Sequence, residues 1–318
     1  MNSTHKTAST NIFDLGKYPT NFINIESKTC CSFNHKVSPF SPPKPLLICS
    51  PTQAGDFPVL VLLHGYLLCN SFYSQLIHHI ASHGFIVVAP QLYTVAGPDT
   101  QGEIEATAKI IDWLSEGLAH FLPPQVNPDL KKLGLAGHSR GGKVAFAVAS
   151  RRSNPMTIEV SAVIGIDPVD GMDKGSQTPP PVLTYSPRSF DLGGAGALVI
   201  GSGLGEVKRN PLFPPCAPKG VNHEDFYNEC RKPAYYFVAK DQGHLDMLDD
   251  DTKGIRGKAT FCLCKNGKCR EPMRRFVGGA VVAFLKGYVE GDTSELVKLR
   301  EGHYEMLPVV LQRVEYIV

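Results

Sequence analysis

Long apolar runs are missing from this sequence. The best stretch, Phe276 to Leu285, is ten residues long and contains two glycines, against the roughly 18 residues a membrane-spanning helix needs. No segment therefore reads as a transmembrane helix. An excess of one charge is missing as well. The formal net charge of the 318 residues is +2, too small to argue for nucleic acid or an anionic membrane surface as partner. The N-terminal MNSTHKTASTN lacks the apolar core of a secretory signal. It is Ser/Thr-rich, as plastid transit peptides are, but Asp14 and the strand-like Phe22 to Ile25 leave it very short for one. Residues 1–20 are read as a loose lead-in. Zinc-type cysteine spacing is also absent. Among nine cysteines the densest group is Cys262-x-Cys264-x4-Cys269, which has neither paired C-x2-C spacing nor an adjacent histidine. Buried thiols or a local disulfide are the expectation there, and neither metal nor cofactor is expected. Cys216 and Cys230 flank a loop that a disulfide between them would staple.

What is present suits a large folded core, with 42% hydrophobic and 19% charged residues. Short strands are read at Asn21 to Ser32 and Pro45 to Ser50. Continuous apolar runs at Pro58 to Leu63, Phe85 to Ala89, Lys131 to Ala136, Val160 to Ile166, Ala197 to Gly201 and Tyr235 to Ala239 fit strands buried on both faces. Between them, helical spacing appears at Ser71 to His83, Glu103 to Phe121 and Lys143 to Ser150, and again at Met273 to Val289. This alternation predicts an α/β fold in which a mainly parallel central sheet carries helices on both faces. It predicts a single domain over 21–318. The stretch Ser202 to Pro233 is too long for a simple connection and is expected to cover or line a site, carrying Leu212, Phe213 and Phe226.

One motif stands where such a sheet does chemistry. Gly137-His138-Ser139-Arg140-Gly141 follows a strand and precedes an Ala-rich helix, the setting in which G-x-S-x-G forms a sharp turn with its serine at the apex. Ligands of a parallel sheet bind beyond the C-terminal strand ends. His64, Ser139, Asp167 and His244 all sit just after strand runs. Chain order in this architecture is nucleophile, acid, histidine, which leaves His223, His244 and His303 as bases. His244 follows a strand and a glycine and is the expected base, while the other two read as surface histidines. His64 and His138 read as supporting residues, and His78, His79 and His83 as solvated. For the acid, Asp167, which ends a strand run and is held extended by Pro168, is favoured, with Glu206, in the more usual position after the next strand, and Asp170 as the open alternatives. The oxyanion hole needs two backbone N–H donors, expected from Arg140 and from Tyr66 in the loop after the His64 strand. Leu67, Leu68, Phe72 and Tyr73 beside that loop suit a greasy substrate or, equally, helix packing.

With these residues placed, the chain resembles the plant chlorophyllases, a branch of the α/β-hydrolases, and most of all the type without a long N-terminal extension. The matching stretches include LLHGYLLCNSFYSQL (62–76), GHSRGGKVAFA (137–147), IGIDPVDG (164–171), LVIGSGLGE (198–206) and VAKDQGHLDMLDDDTKG (238–254). The resemblance implies hydrolysis of chlorophyll to chlorophyllide and phytol by a Ser-Asp-His triad, here Ser139, Asp167 and His244. It also implies a chloroplast location, with cytosol or an endomembrane surface as the alternative, and peripheral contact with pigment-bearing membranes. The rival readings are a general lipase or carboxylesterase and a binding protein on a hydrolase scaffold.

Overall fold

The computed structural model describes residues 11–27, 40–150 and 158–318. Its centre is a nine-stranded sheet. In chain order the elements are β1 (Thr20–Ile25), β2 (Leu46–Pro51), β3 (Gly55–Leu63), α1 (Ser74–Ser82), β4 (Ile86–Pro90), α2 (Gln101–Gly117), β5 (Val126–His138), α3 (Arg140–Ala149), β6 (Val160–Ile166), β7 (Gly196–Ser202), α4 (His223–Glu229), β8 (Ala234–Ala239), α5 (Gly254–Ala259), α6 (Glu271–Leu285), α7 (Ser294–Glu301) and β9 (Leu311–Ile317). The spatial order is β1-β2-β4-β3-β5-β6-β7-β8-β9. Strands from β4 to β8 in that row pair in parallel, while β1, β2 and β9 pair antiparallel at the two edges.

The run PVLVLL in β3 shows why the sheet is apolar on both sides. Successive side chains of a strand point to opposite faces. Val59, Val61 and Leu63 join one core with Ile110 and Trp113 of α2, Phe146 of α3 and Phe226 of α4. Leu60 and Leu62 join the other with Leu76 and Ile77 of α1 and Val277, Val281 and Phe284 of α6. Helices thus cover both faces, as the alternating sequence pattern requires. The chain runs from β3 outward to β4, then returns to β5 on the other side of β3 and continues to β8. The strand order reverses between β3 and β5, and the crevice at such a switch point lies at the C-terminal strand ends.

Four readings change. The strand expected over Asn21 to Ser32 ends at Ile25, and its part from residue 28 onward lies outside the described residues. The lead-in is not loose up to residue 20, because Ile12 and Phe13 are buried. Phe13 packs edge-on against Tyr304 at 4.9 Å, and the Ile12 carbonyl accepts from His79 Nε2 at 2.8 Å. Tyr235 to Ala239 is not the last strand. β9 adds to it with Arg313 and Glu315 in an exposed edge, where charged side chains hide a strand from apolar pattern reading. The 202–233 connection is partly helical, with α4 capped by Asn222 in a capping box with Asp225.

Candidate active site

Ser139 sits between the end of β5 and the first residue of α3, with φ 56° and ψ −122°. That positive φ is uncommon for a residue with a side chain, and close packing enforces it. A Cβ at Gly137 would come within 2.1 Å of the Gly141 carbonyl oxygen, and one at Gly141 within 2.6 Å of the Leu63 and His64 carbonyls. Only glycine at both positions lets helix and strands approach so closely. The turn is tied down by the Ser139 N–H donating to the Ile166 carbonyl at 3.0 Å.

The hydroxyl faces the loop after β8. His244 Nε2 lies 2.9 Å from Ser139 Oγ, and His244 Nδ1 lies 2.7 Å from Asp167 Oδ2. All three side chains are buried. Asp167, itself at φ 45°, also accepts from the Ser202 N–H at 3.1 Å and from the Ser202 hydroxyl. Burial alone would raise its pKa, but the hydrogen bond from His244, the electrostatic interaction with His244 and His223 and the Ser202 hydroxyl outweigh it and hold the carboxyl down at about 2. The Asp167 carboxyl is therefore ionised in the folded chain near neutrality. Ser202 carries no sequence signal for this role beyond closing the strand run that precedes Glu206.

The other two candidate acids meet different partners. Glu206 is exposed and its Oε1 accepts from Asn222 Nδ2 at 2.8 Å, bracing the loop. Asp170 is buried, 2.7 Å from Lys143 Nζ, and its Oδ2 accepts from the N–H groups of Val182 and Leu183 at 3.0 and 2.9 Å. His303 is exposed, as expected. His223 is not a surface residue: it is buried, with Nδ1 2.7 Å from the Tyr236 hydroxyl and Nε2 3.8 Å from Asp167 Oδ1. His79 is buried too, rather than solvated. Asp246 shapes the histidine loop, accepting from the N–H groups of Gly243 and Gly267, each at 2.6 Å.

A second line of hydrogen bonds runs beside the first. The Gly65 N–H donates to the Tyr73 hydroxyl at 3.0 Å, Tyr73 donates to His138 Nδ1 at 2.7 Å, and His138 Nε2 donates to the His244 carbonyl at 2.8 Å. The Tyr73 hydroxyl and His138 each donate once and accept once along this line, which fixes the His138 tautomer. Burial, reinforced by the neighbouring His244, pushes the His138 pKa down to about 3. His64 is neutral for the same reason, held near 4 by burial. Its Nδ1 donates to the Gly65 carbonyl at 2.9 Å and its Nε2 accepts from the Leu92 N–H at 3.0 Å. These two histidines thus lock the loop after β3 to the serine turn and the histidine loop.

The supposed substrate surface beside that loop divides. Leu68, Phe72 and Tyr73 are buried in the core, packed among helix and sheet side chains. Tyr66 and Leu67 stay exposed. The Arg140 side chain, unread in the sequence, turns away from the serine. Its Nε donates to Glu103 Oε2 at 2.9 Å, a guanidinium N–H donates to Glu103 Oε1 at 2.7 Å, and the group sits 5.6 and 5.8 Å from the ring centres of Tyr66 and Tyr93. The backbone N–H of Arg140 opens α3 and has no acceptor within the helix.

The disulfide that would staple the loop between Cys216 and Cys230 does not form. Cys216 bonds to Cys264 instead, with Cα atoms 5.7 Å apart, whereas Cys230 is buried at the end of α4 beside the Phe226 carbonyl. The bridge therefore ties the 202–222 connection to the segment after His244 and removes the middle cysteine of the 262–269 group.

A serine on a strand-to-helix turn, hydrogen-bonded in line to a histidine and a buried aspartate at the C-terminal edge of a parallel sheet, defines a serine hydrolase of the α/β-hydrolase class. Within that class the chain belongs to the chlorophyllase family, whose sequence model matches residues 8–318. It is 62% identical to Chlorophyllase-2 of Arabidopsis thaliana over 98% of this chain and 99% of that protein. It is 47% identical to Chlorophyllase-1 of the same plant over 89% and 86% of the two chains. It is 41% identical to "Chlorophyllase-1, chloroplastic" of Citrus unshiu over 98% and 90%.

Proposed function

We infer that this protein hydrolyses the phytyl ester of chlorophyll to chlorophyllide and phytol. The single observation that carries the reaction type is the Ser139–His244–Asp167 line, at 2.9 and 2.7 Å. Family membership supports the substrate. Ser139 Oγ attacks the ester carbonyl while His244 Nε2 takes its proton, and ionised Asp167 stabilises the imidazolium that results. Two backbone N–H groups, of Arg140 and Tyr66, receive the oxyanion. As the tetrahedral species collapses, the C–O bond to phytol breaks and His244 gives its proton to the departing oxygen. A water then loses a proton to His244 and attacks the acyl carbon. Collapse returns the proton to Ser139 and frees the chlorophyllide carboxylate.

No step calls for a metal or cofactor. The reading places the enzyme in the chloroplast, working by peripheral contact with pigment-bearing membranes, and among the described residues no helix is long and apolar enough to cross one. Chlorophyllide release by purified protein tests it, with Ser139→Ala as the control that must lose release and labelling by a fluorophosphonate. Faster turnover of triglycerides or simple acyl esters than of chlorophyll would make it a general lipase or carboxylesterase.

A further inference from the structure

The near-neutral total charge conceals a local imbalance. Residues 253–268, KGIRGKATFCLCKNGK, contain Lys253, Arg256, Lys258, Lys265 and Lys268 and no acidic residue. All five cations are exposed. Among the described residues none of the four lysines has a carboxylate within ion-pair distance. Asp250 and Asp251 precede the segment, and Asp250 is paired with Arg274 at 2.7 Å. Interleaved with the cations, Ile255, Phe261 and Leu263 face solvent, Ile255 at 89% exposure.

Two other loops continue this surface. The Cys216–Cys264 bond fastens the 202–222 connection to it, and that connection presents Lys208, Arg209, Leu212 at 86% exposure and Phe213 at 54%. Arg256 donates to the Thr94 carbonyl at 2.5 Å, which brings in Val95 at 79%. The three loops follow β7, β8 and β4, all parallel strands, so they share the C-terminal edge of the sheet with Ser139, Asp167 and His244.

We propose that this rim is a docking face for an anionic lipid bilayer. The chemistry selects that occupant. Exposed aliphatic and aromatic side chains enter the headgroup boundary, and unpaired lysines among them meet lipid phosphate or sulfonate charge. The proposal rests on the membrane contact inferred above and says which face makes it and which lipids it selects. The docked orientation turns the mouth of the site toward the layer in which a phytyl chain is dissolved.

Co-sedimentation of the full chain with vesicles tests this. Wild-type protein should bind phosphatidylcholine vesicles containing phosphatidylglycerol far better than phosphatidylcholine alone, and high salt should release it. In K253Q/K258Q/K265Q, binding should fall about fivefold for each lysine removed. In I255S/L263S, at two exposed positions of the 253–268 segment, it should fall on both vesicle types. Hydrolysis of a water-soluble short-chain ester should be unchanged in both variants, which also shows that they fold. Equal binding to neutral and anionic vesicles, or variants that bind as wild type, overturns the proposal. So does an apolar variant that changes oligomeric state while keeping vesicle binding, since the face then serves a second copy of the chain. Chlorophyllide release from detergent-dissolved pigment is read separately. If it fails while vesicle binding behaves as described, the substrate reading falls and the docking face stands.

Discussion

Replacing Asp167 by asparagine keeps the size of the side chain and removes its charge. Three donors converge on the two carboxylate oxygens: the Ser202 N–H on Oδ1, and the Ser202 hydroxyl and His244 Nδ1 on Oδ2. An amide offers only one oxygen. With the NH2 toward His244, the ring must accept at Nδ1 and carry its proton on Nε2, so it no longer accepts from Ser139. With the NH2 toward Ser202, the tautomer survives but a backbone N–H is left facing a donor, and the charge that stabilises the imidazolium is gone in either case. Turnover should therefore fall by roughly 10³ to 10⁴, the loss found when a triad acid is neutralised, or about 4 to 5.5 kcal/mol of barrier at about 1.36 kcal/mol per decade. Glu206→Gln should change turnover by less than about tenfold, because its carboxylate meets Asn222 at 2.8 Å in an exposed loop. The assay is ester turnover at fixed protein concentration, after thermal melting has shown both variants folded. A folded Asp167→Asn that retains more than about a tenth of wild-type turnover would refute the argument, and a large loss in Glu206→Gln alone would move the acid there.

Two further outcomes concern stability. Lys143→Met should cost about 3–5 kcal/mol in denaturant unfolding, since it strands the buried Asp170 carboxylate now 2.7 Å from Lys143 Nζ. Adding Asp170→Asn, which keeps an acceptor for Val182 and Leu183, should recover part of that, and a single-variant loss below about 1 kcal/mol contradicts the assignment. Burial lowers the pKa of His64 and His79 to about 4 and of His138 to about 3, so in acid the unfolded chain binds the protons these rings refuse when folded. The stability they contribute is complete above about pH 6.5 and is lost as pH falls toward their folded values, at up to about 1.4 kcal/mol per pH unit for each ring. Unfolding measured between pH 5 and 6 should show one proton less of this dependence in His79→Gln, whose amide can still donate to the Ile12 carbonyl at 2.8 Å in the native ring; an unchanged slope argues against a neutral buried His79.

Much of the fold was legible because the buried parallel strands are written as unbroken apolar runs, and their partners on both faces as helical spacing. β3, β4, β6, β7 and β8 all carry that signature, and each strand was read within a few residues. β9 carries the opposite one. Its outward charges Arg313 and Glu315 suit an edge strand, and nothing in local composition separates LQRVEYI from an exposed loop. The lead-in failed for a related reason: Ile12 and Phe13 are only two apolar residues, and two residues have no period to read.

The site divides along the same line. Ser139 and His244 were legible because a strand-to-helix turn and a strand end impose local requirements, glycines above all, that one stretch of sequence displays. The acid was less so: a strand end followed by proline favoured Asp167, but Glu206 and Asp170 stayed open at that level. What separates them is long-range: Asp167 is 77 residues from His244 and 35 from Ser202, and Asp170 is claimed by Lys143 before it can serve a histidine. Arg140 and Glu103, 37 residues apart, show the same blindness, since each alone looks like a solvated charge on a helix. A buried ion requires a partner or it shifts its pKa, so the rule for finding these groups is physical but needs coordinates to apply. His223 is the sharpest instance. Its place in a Pro- and Gly-rich loop suggested solvent, yet the Tyr236 hydroxyl 2.7 Å from one nitrogen and the Asp167 carboxylate 3.8 Å from the other account for its burial; Tyr236 lies within a strand the sequence had already identified and Asp167 just beyond another, without either revealing which loop residue they would hold.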